Sequence, residues 1–563
     1  MYFTLIEQVI LGSLVLSALF SFTFEIYKRF QIIMEGTGSF QFDNIHLRLK
    51  RVFVEFILQK KVLSQRFWPG LMHALVFWGF MFFGIITIDH FLIGFNKTLF
   101  SESFKSFYAF YFGIPWSIFV LIGILSLAYR RFIKKPQYLG NKVSYTSALV
   151  VIFISLLMIT YIIDVSFHHG GMLMKLNWWL HAVLILGFLV LIPKSKHLHL
   201  VLSPINIFFK PLTMPDHNPV PIDMDGDEEE LENLLGNLTK LSKNQTLDIF
   251  SCVECGRCTE VCPAHRGGGK LDPKNHFILN LKDPLMEKNF DVVNNIDVDA
   301  GWECTTCQAC SEVCPVGNEV EKSDEIRNIQ VMVEGNVPQE YQKLFNNLQT
   351  TGNTEGAMTS EISNELPLFD GSQEYVLWLG CFAKYNLDPK FKTSVKNLIK
   401  ILDSANKTFG ILKKEKCTGE PANRLGDKLT YNMLMQENLK ELKEVKKIIT
   451  MCPHCSVNLG IEYAKYSNIE YEVFHHTQII EKLIKNGDIT VNQNNNEKIT
   501  FHDPCNLSRM MDEVSAPRTA IKSACNNYSE LEESGKNTLC CGAGGGLWWK
   551  KETQGKTHLV RAQ

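Results

Sequence analysis

The sequence predicts a multidomain chain in three parts: a five-helix transmembrane bundle, a helical domain built on two cysteine motifs, and a duplicated α/β domain. Three observations carry this. Five long apolar stretches fill roughly the first 200 residues, and the remainder is charged and polar. None of the 16 cysteines precedes Cys252, and most fall in tight groups. Beyond residue 370, two cysteine-bearing segments repeat at nearly the same interval. The net charge of −2, with no basic stripe, argues against nucleic acid as the main partner. A secreted disulfide scaffold would scatter its cysteines through loops, whereas grouped cysteines suit metal ligation in a reducing compartment.

The apolar stretches run over about 3–27, 69–95, 112–131, 146–166 and 176–194, near the ~20 residues that cross a bilayer. The first lacks a basic leader and a small-residue cleavage site, so it reads as a span and not a signal peptide. Lys28, Arg29, Arg48, Lys50, Arg51, Lys60, Lys61 and Arg66 lie between spans one and two. Arg130, Arg131, Lys134, Lys135 and Lys142 lie between three and four, while the opposite loops hold only Lys97, Lys105 and Lys175. The N-terminus is therefore expected outside, and the chain after span five in the cytoplasm, as in a multi-pass protein of the cytoplasmic (inner) membrane.

Polar residues inside spans are costly and mark function. His73 and His90 lie near the two ends of span two. His181 starts span five, and His197 and His199 follow its inner end. These spans run antiparallel, so residues at one depth share an index sum: 272 for His73 with His199, 271 for His90 with His181. Two layers roughly 25 Å apart result, and paired histidines are natural axial ligands of haem iron. The bland alternative is an interfacial histidine, above all for His90 and for whichever of His197 and His199 is not a ligand. His168 and His169 are rival outer ligands, and a bend at Pro193 would upset the depth of His199.

Residues 1–203 thus form the membrane domain. Residues 204–245, Pro-rich and then acidic, read as a linker with a short helix. Cys252, Cys255, Cys258 and Cys262-Pro263 follow, then Cys304, Cys307, Cys310 and Cys314-Pro315. Both groups have the spacing C-x2-C-x2-C-x3-C-P. In such a frame three cysteines wrap one cluster and the fourth ligates the other. One cluster then takes Cys252, Cys255, Cys258 and Cys314; its partner takes Cys304, Cys307, Cys310 and Cys262. A zinc site, the alternative, needs four ligands, usually two CxxC pairs. PKNHFILNLKD and SDEIRNIQVMV read as helical, so residues 246–345 are expected to be an α-helical ferredoxin domain with two 4Fe–4S clusters. RGGGK at 266–270 lacks the spacing of a phosphate loop and reads as a turn.

After a second linker, 346–369, residues 370–563 turn α/β. EYVLWLG and KKIITM end at cysteines, which places thiolates at the ligand edge of a sheet. The first repeat has Cys381, Cys417-Thr418-Gly419 and Cys452-Pro-His-Cys455. The second has Cys505 and Cys540-Cys541-Gly542. The intervals Cys381–Cys417 and Cys505–Cys540 are 36 and 35.

This pattern resembles the CCG domains of heterodisulfide reductase catalytic subunits. The five-span domain resembles haem b subunits of that enzyme and of respiratory nitrate reductase. A chain with all three parts resembles membrane-bound iron–sulfur oxidoreductases that link electron-transfer flavoprotein to menaquinone. The resemblance implies one or two further clusters, cubane or noncubane, on Cys381, Cys417, Cys452, Cys455, Cys505, Cys540 and Cys541. It also implies haem b, one or two, on the membrane histidines, with quinone as substrate. In the family a full CCG repeat supplies five cysteines to a noncubane cluster. Here Thr418 replaces one, and four thiolates suffice for a cubane. The CxxC expected about 35 residues after Cys541 would fall beyond Gln563, so either the sequence is truncated, the favoured reading, or this site is incomplete. Cys525 fits no ligand position, and GAGGG after Cys541 is expected to let backbone approach a cluster. The sequence has no dinucleotide fingerprint, so a flavoprotein partner would supply flavin. The expected activity is electron transfer from an electron-transfer flavoprotein, or another flavoprotein dehydrogenase, through clusters and haem to menaquinone. Alternatives are a quinol-linked disulfide reductase and a relay subunit of a larger respiratory complex.

Overall fold

The computed structural model describes residues 2–139, 145–166, 171–212, 240–289, 296–357, 362–385, 389–467, 470–493 and 497–550. Among the described residues five helices are long and apolar enough to cross a membrane: α1 (Leu5–Glu35), α2 (Phe67–Gly94), α3 (Glu102–Lys134), α4 (Tyr145–Ser166) and α5 (Met172–Lys194). Much of their apolar surface is exposed, Ile10, Phe20, Ile85 and Ile122 among it, as a helix bordering lipid requires. Thr4 and Glu7 form a capping box that starts α1. α3 begins about ten residues before its apolar run, because Ser101 accepts the Phe104 N–H and caps an earlier turn. His168 and His169 lie outside the described residues.

α5 ends in a tight turn over Ile192–Lys194, where Pro193 stops the helix. After a second short turn the chain forms α6 (His199–Phe209). Residues 204–209, at the start of the compositional linker, are thus the second half of α6, while the acidic stretch, where a short helix is expected, lies outside the described residues. α7 (Lys243–Ser251) opens with a Ser242–Gln245 capping box, packs on α6 and delivers the chain to Cys252.

The first C-terminal repeat holds a parallel sheet with strand order β2-β1-β3-β4: β1 Tyr375–Trp378, β2 Phe409–Gly410, β3 Lys447–Thr450 and β4 Glu472–His475. β1 lies between β2 and β3, so the order reverses there. A crevice opens beyond the carboxyl ends of β1 and β3, the usual ligand position in such sheets. α8 (Pro389–Ser404) covers one face through Val395, Leu398 and Leu402. Among its described residues the second repeat has helix Ser515–Ala524 and one parallel bridge, Ile499 with Tyr528.

Candidate functional site

The two ferredoxin motifs wind alike. Glu254 and Gly256 have φ of 56° and 72°; their counterparts Thr306 and Gln308 have 50° and 59°. Left-handed residues at matching places turn three thiols to one side. The Glu254 N–H points at Cys252 Sγ (3.4 Å) and the Thr306 N–H at Cys304 Sγ (3.3 Å). Cys252, Cys255, Cys258 and Cys314 line one pocket, so the last cysteine of the second motif crosses to the first. Burial, helped by the Cys314 and Cys255 thiols, pushes the Cys252 thiol up to about 12. Burial also pushes Cys262 up, with Cys304 and Cys307 adding to it, and Cys310 feels Cys307 and Cys262 likewise. The Cys262 thiol thus lies near the thiols of the second motif, as the expected reciprocal crossing requires. Among the described residues no three His, Cys, Asp or Glu side chains are placed to hold a single metal ion. The donor set of four soft thiols around each space fits a cluster.

In the first C-terminal repeat Cys381 follows β1, Cys417 follows β2, and Cys452 and Cys455 follow β3 at the switch-point crevice. The Cys381 thiol lies beside that of Cys417, and that of Cys452 beside Cys455. Gly380 has φ of 71°, and a side chain there would lie 3.4 Å from Cys455 Sγ. The buried Glu415 carboxylate accepts the N–H groups of Leu379 and Gly380 at 3.0 and 2.9 Å, which fixes the turn into Cys381. Thr418 is buried, and its carbonyl accepts from Tyr463 Oη at 2.9 Å.

In the second repeat Cys540 lies beside Cys505 and Cys541, and also beside Cys307 of the ferredoxin domain. Arg509 staples the two domains by donating to the Cys307 carbonyl at 3.0 Å and to Lys536 O at 2.9 Å. The glycine run does approach backbone, and that backbone is the ferredoxin motif: a Cβ on Gly544 or Gly545 would lie 2.6 Å from Thr305 O or 2.4 Å from Cys304 O. Cys541 is exposed; Cys525 is buried apart, its thiol against Glu497 O at 3.4 Å. The sequence reading missed His454, although a histidine inside a CxxC was a visible signal. Its Nδ1 meets Glu420 at 3.0 Å and its Nε2 lies 3.4 Å from Asn506, beside Cys505, so it joins the two repeats.

The membrane helices enclose a largely apolar cavity of about 980 Å³ that reaches His73, His90, His181, His197 and His199. The His73 and His199 rings are 6.3 Å apart, those of His90 and His181 4.8 Å, and those of His197 and His199 5.7 Å. Nδ1 is anchored on Gln59 Oε1 for His73 (3.1 Å), on Thr160 Oγ1 for His181 (2.7 Å) and on the Lys196 carbonyl for His199 (2.8 Å). That leaves Nε2 of each for a metal, the usual arrangement of a ligating histidine. His90 Nε2 and His197 Nδ1 are buried without a hydrogen-bond partner. A buried orphan nitrogen is costly, and these donors in an apolar cavity fit haem.

The ferredoxin domain sits on the ends of these helices nearest His73 and His199. Arg66 stacks on Tyr138 (4.0 Å), pairs with Glu260 and reaches Cys255 O at 3.5 Å. Arg257 donates to Val62 O at 3.2 Å. On α6, Asn206 Nδ2 lies 3.0–3.1 Å from Asp248 Oδ1, Val316 O and Asn318 Oδ1, all buried. Gly317, with φ of 80°, packs on Ile207; a Cβ there would lie 3.0 Å from Ile207 Cγ1. The Cys252 quartet therefore faces the membrane histidines, and the Cys304 quartet faces the C-terminal repeats. Buried Arg327 and Arg424 lock the second junction. Arg327 donates to the carbonyls of Cys304 (2.7 Å) and Arg424 (2.9 Å), and Arg424 pairs with Asp324 (3.0 Å) and Glu462 (3.4 Å).

Comparison with known proteins matches these parts. Residues 246–315 match the family described as 4Fe-4S dicluster domain, and residues 375–460 and 499–562 match that of the cysteine-rich (CCG) domain. A probable iron–sulfur-binding oxidoreductase, FadF, of Bacillus subtilis is 29% identical, across 97% of this chain and 89% of that protein. The EtfAB:quinone oxidoreductase of Syntrophomonas wolfei is 29% identical, across 94% and 85%. One component of the dihydromethanophenazine:CoB–CoM heterodisulfide reductase of Methanosarcina barkeri is 28% identical, across 55% and 81%. No solved structure matches. The chain is a CCG-domain iron–sulfur oxidoreductase that joins a two-cluster ferredoxin domain to five membrane-length helices.

Proposed function

We propose that the protein carries electrons from a cytoplasmic electron-transfer flavoprotein, or another flavoprotein dehydrogenase, to menaquinone in the inner membrane. The observation that carries this is order. The first-repeat thiols, the Cys505–Cys540 site, the Cys304 quartet, the Cys252 quartet and the His73–His199 pair follow one another, each touching or facing the next, and the His90–His181 pair lines the far part of the same cavity. The relative named as an EtfAB:quinone oxidoreductase supports the same two ends.

When bound, the clusters and haem b supply one-electron carriers. The chain's own residues hold and insulate them. Cys252, Cys255, Cys258 and Cys314 would hold one cluster, and Cys304, Cys307, Cys310 and Cys262 its neighbour. Cys381, Cys417, Cys452 and Cys455 would hold a third, with Cys505, Cys540 and Cys541 contributing to a fourth site. Gln59, Thr160 and the Lys196 carbonyl orient His73, His181 and His199, and the walls of the cavity around them are largely apolar. The lysine and arginine bias of the loops supports an outside N-terminus and cytoplasmic thiols.

The test is direct. Purified protein in detergent, given reduced electron-transfer flavoprotein and a menaquinone analogue, should reoxidise the flavin, and should not do so without the quinone beyond one filling of its own centres. Exposed Cys541 favours a second reading, reduction of a disulfide by quinol electrons. Disulfide turnover with no flavin oxidation would select it.

A further inference from the structure

We propose that the lysine-rich face of the first C-terminal repeat is the docking surface for the flavoprotein donor, and that it receives an acidic patch on that donor. This rests on the donor-to-quinone reading above. From Lys384 to Lys416 the chain has nine lysines against three acids, Asp388, Asp403 and Glu415, although the whole chain is balanced at 57 basic to 59 acidic residues. One of the three acids is inward: Glu415 is buried against the Leu379 and Gly380 amides. Lys390, Lys396, Lys400, Lys413 and Lys414 are exposed, while acids from outside this stretch pair with four of the nine: Glu365 with Lys392 and Lys396, Glu374 with Lys407 and Glu437 with Lys416. On α8 the lysines occupy the outer face because Val395, Leu398 and Leu402 take the inner one.

A charged face alone is ordinary solvated surface. This one has an aromatic centre. Phe391 and Trp548 are 42% and 57% exposed. They flank Phe382, with ring centroids 5.6 and 5.9 Å away. The trio draws on both repeats. Phe382 directly follows Cys381, and Lys416 directly precedes Cys417, so the patch overlies two of the four thiols of the first candidate centre. Exposed aromatic anchors ringed by one sign of charge are the anatomy of a steered interface. Placement over a redox thiol favours a redox protein over a nucleic acid or an anionic bilayer, which the same charge would also attract.

The experiment uses the full chain with its cofactors in detergent and a hydroquinone-state electron-transfer flavoprotein, with flavin reoxidation followed by stopped flow. The variant K390E/K396E/K400E should lower the second-order rate constant by about 10- to 100-fold at low salt. The gap should close to within about threefold near 0.5 M salt, as screening removes the steering. A control reversal, K440E/K443E/K446E, places the same charge change at the opposite, amino-terminal edge of the sheet and should stay within about twofold. F391A should slow the reaction at both salt levels. Reduction of every variant by dithionite should match wild type, which shows that fold and cofactors persist. If wild type oxidises the flavin and the lysine reversal does so equally fast, the surface is wrong and the function stands. If wild type never oxidises the flavin, the function and the surface fall together. Unchanged electron transfer with lost binding to anionic vesicles or single-stranded nucleic acid also overturns the proposal.

Discussion

Replacing His181 by Ala should remove one haem and leave the other in place. His73 and His90 are 17 positions apart on α2, about 25 Å at 1.5 Å per residue. Sites more than ~10 Å apart with no shared partner respond independently. His181 pairs with His90, and His73 with His199. H181A should therefore lower the haem-to-nonhaem-iron ratio to about half, H73A should remove the other half, and H73A/H181A should abolish it. Haem is read by pyridine haemochrome and reduced-minus-oxidised spectra, with cluster signals as the internal standard. The anchors give a finer test. T160V and Q59L keep the imidazoles but free their Nδ1 atoms, and should cost about 10- to 100-fold in haem affinity. If H181A and H73A each lose all haem, a single site spans both pairs and the two-layer arrangement is refuted. If neither loses any, these histidines are interfacial.

Arg424→Met should destabilise the junction between the ferredoxin and C-terminal domains by about 3–5 kcal/mol, because the buried carboxylates of Asp324 and Glu462 would lose the guanidinium they share. Lower resistance to pulse proteolysis, partly restored by adding D324N, checks it. Cys314→Ser should remove the cluster signal of the Cys252 motif, and Cys262→Ser that of the Cys304 motif; electron paramagnetic resonance of dithionite-reduced protein would show the reverse if the fourth cysteines do not cross. Burial, with the nearby thiols, holds Cys252 near 12 and Cys314 near 11 in the metal-free fold. Such raised thiols keep their protons at neutral pH and release them only on metal binding. Cluster reconstitution followed by absorbance should accordingly improve from pH 7 to pH 9, and a flat or falling profile would contradict it.

The spans and the cysteine spacing were legible because each is a local signal. Twenty apolar residues state their own need for lipid, and C-x2-C-x2-C-x3-C-P writes its turn into the chain. The placement of Cys314 beside the first motif, and of Cys262 near the second, was legible for the same reason. The histidine depths were half legible. α5 stops at Pro193, so His199 reaches the level of His73 by two tight turns and a new helix, which no index sum contains. Contacts between distant segments were not legible. Cys307 against Cys540, Arg327 spanning Cys304 and Arg424, and Glu420 beneath His454 each depend on how whole domains dock, and their local patterns were ordinary. GAGGG advertised a close backbone approach but gave no hint that its target was the neighbouring domain.

α6 makes the membrane half and the first quartet one mechanical body. It begins at His199 and, before its last turn ends, is bonded through Asn206 and packed through Ile207 on the Val316–Asn318 turn that follows Cys314. A cofactor domain on a free tether must swing to deliver its cargo, and its throughput falls as the medium thickens. A strut of this kind sets the spacing once, at folding. Transfer across it would be indifferent to solvent viscosity, and the only diffusive steps left are the arrival of the donor at one end and the exchange of quinone at the other.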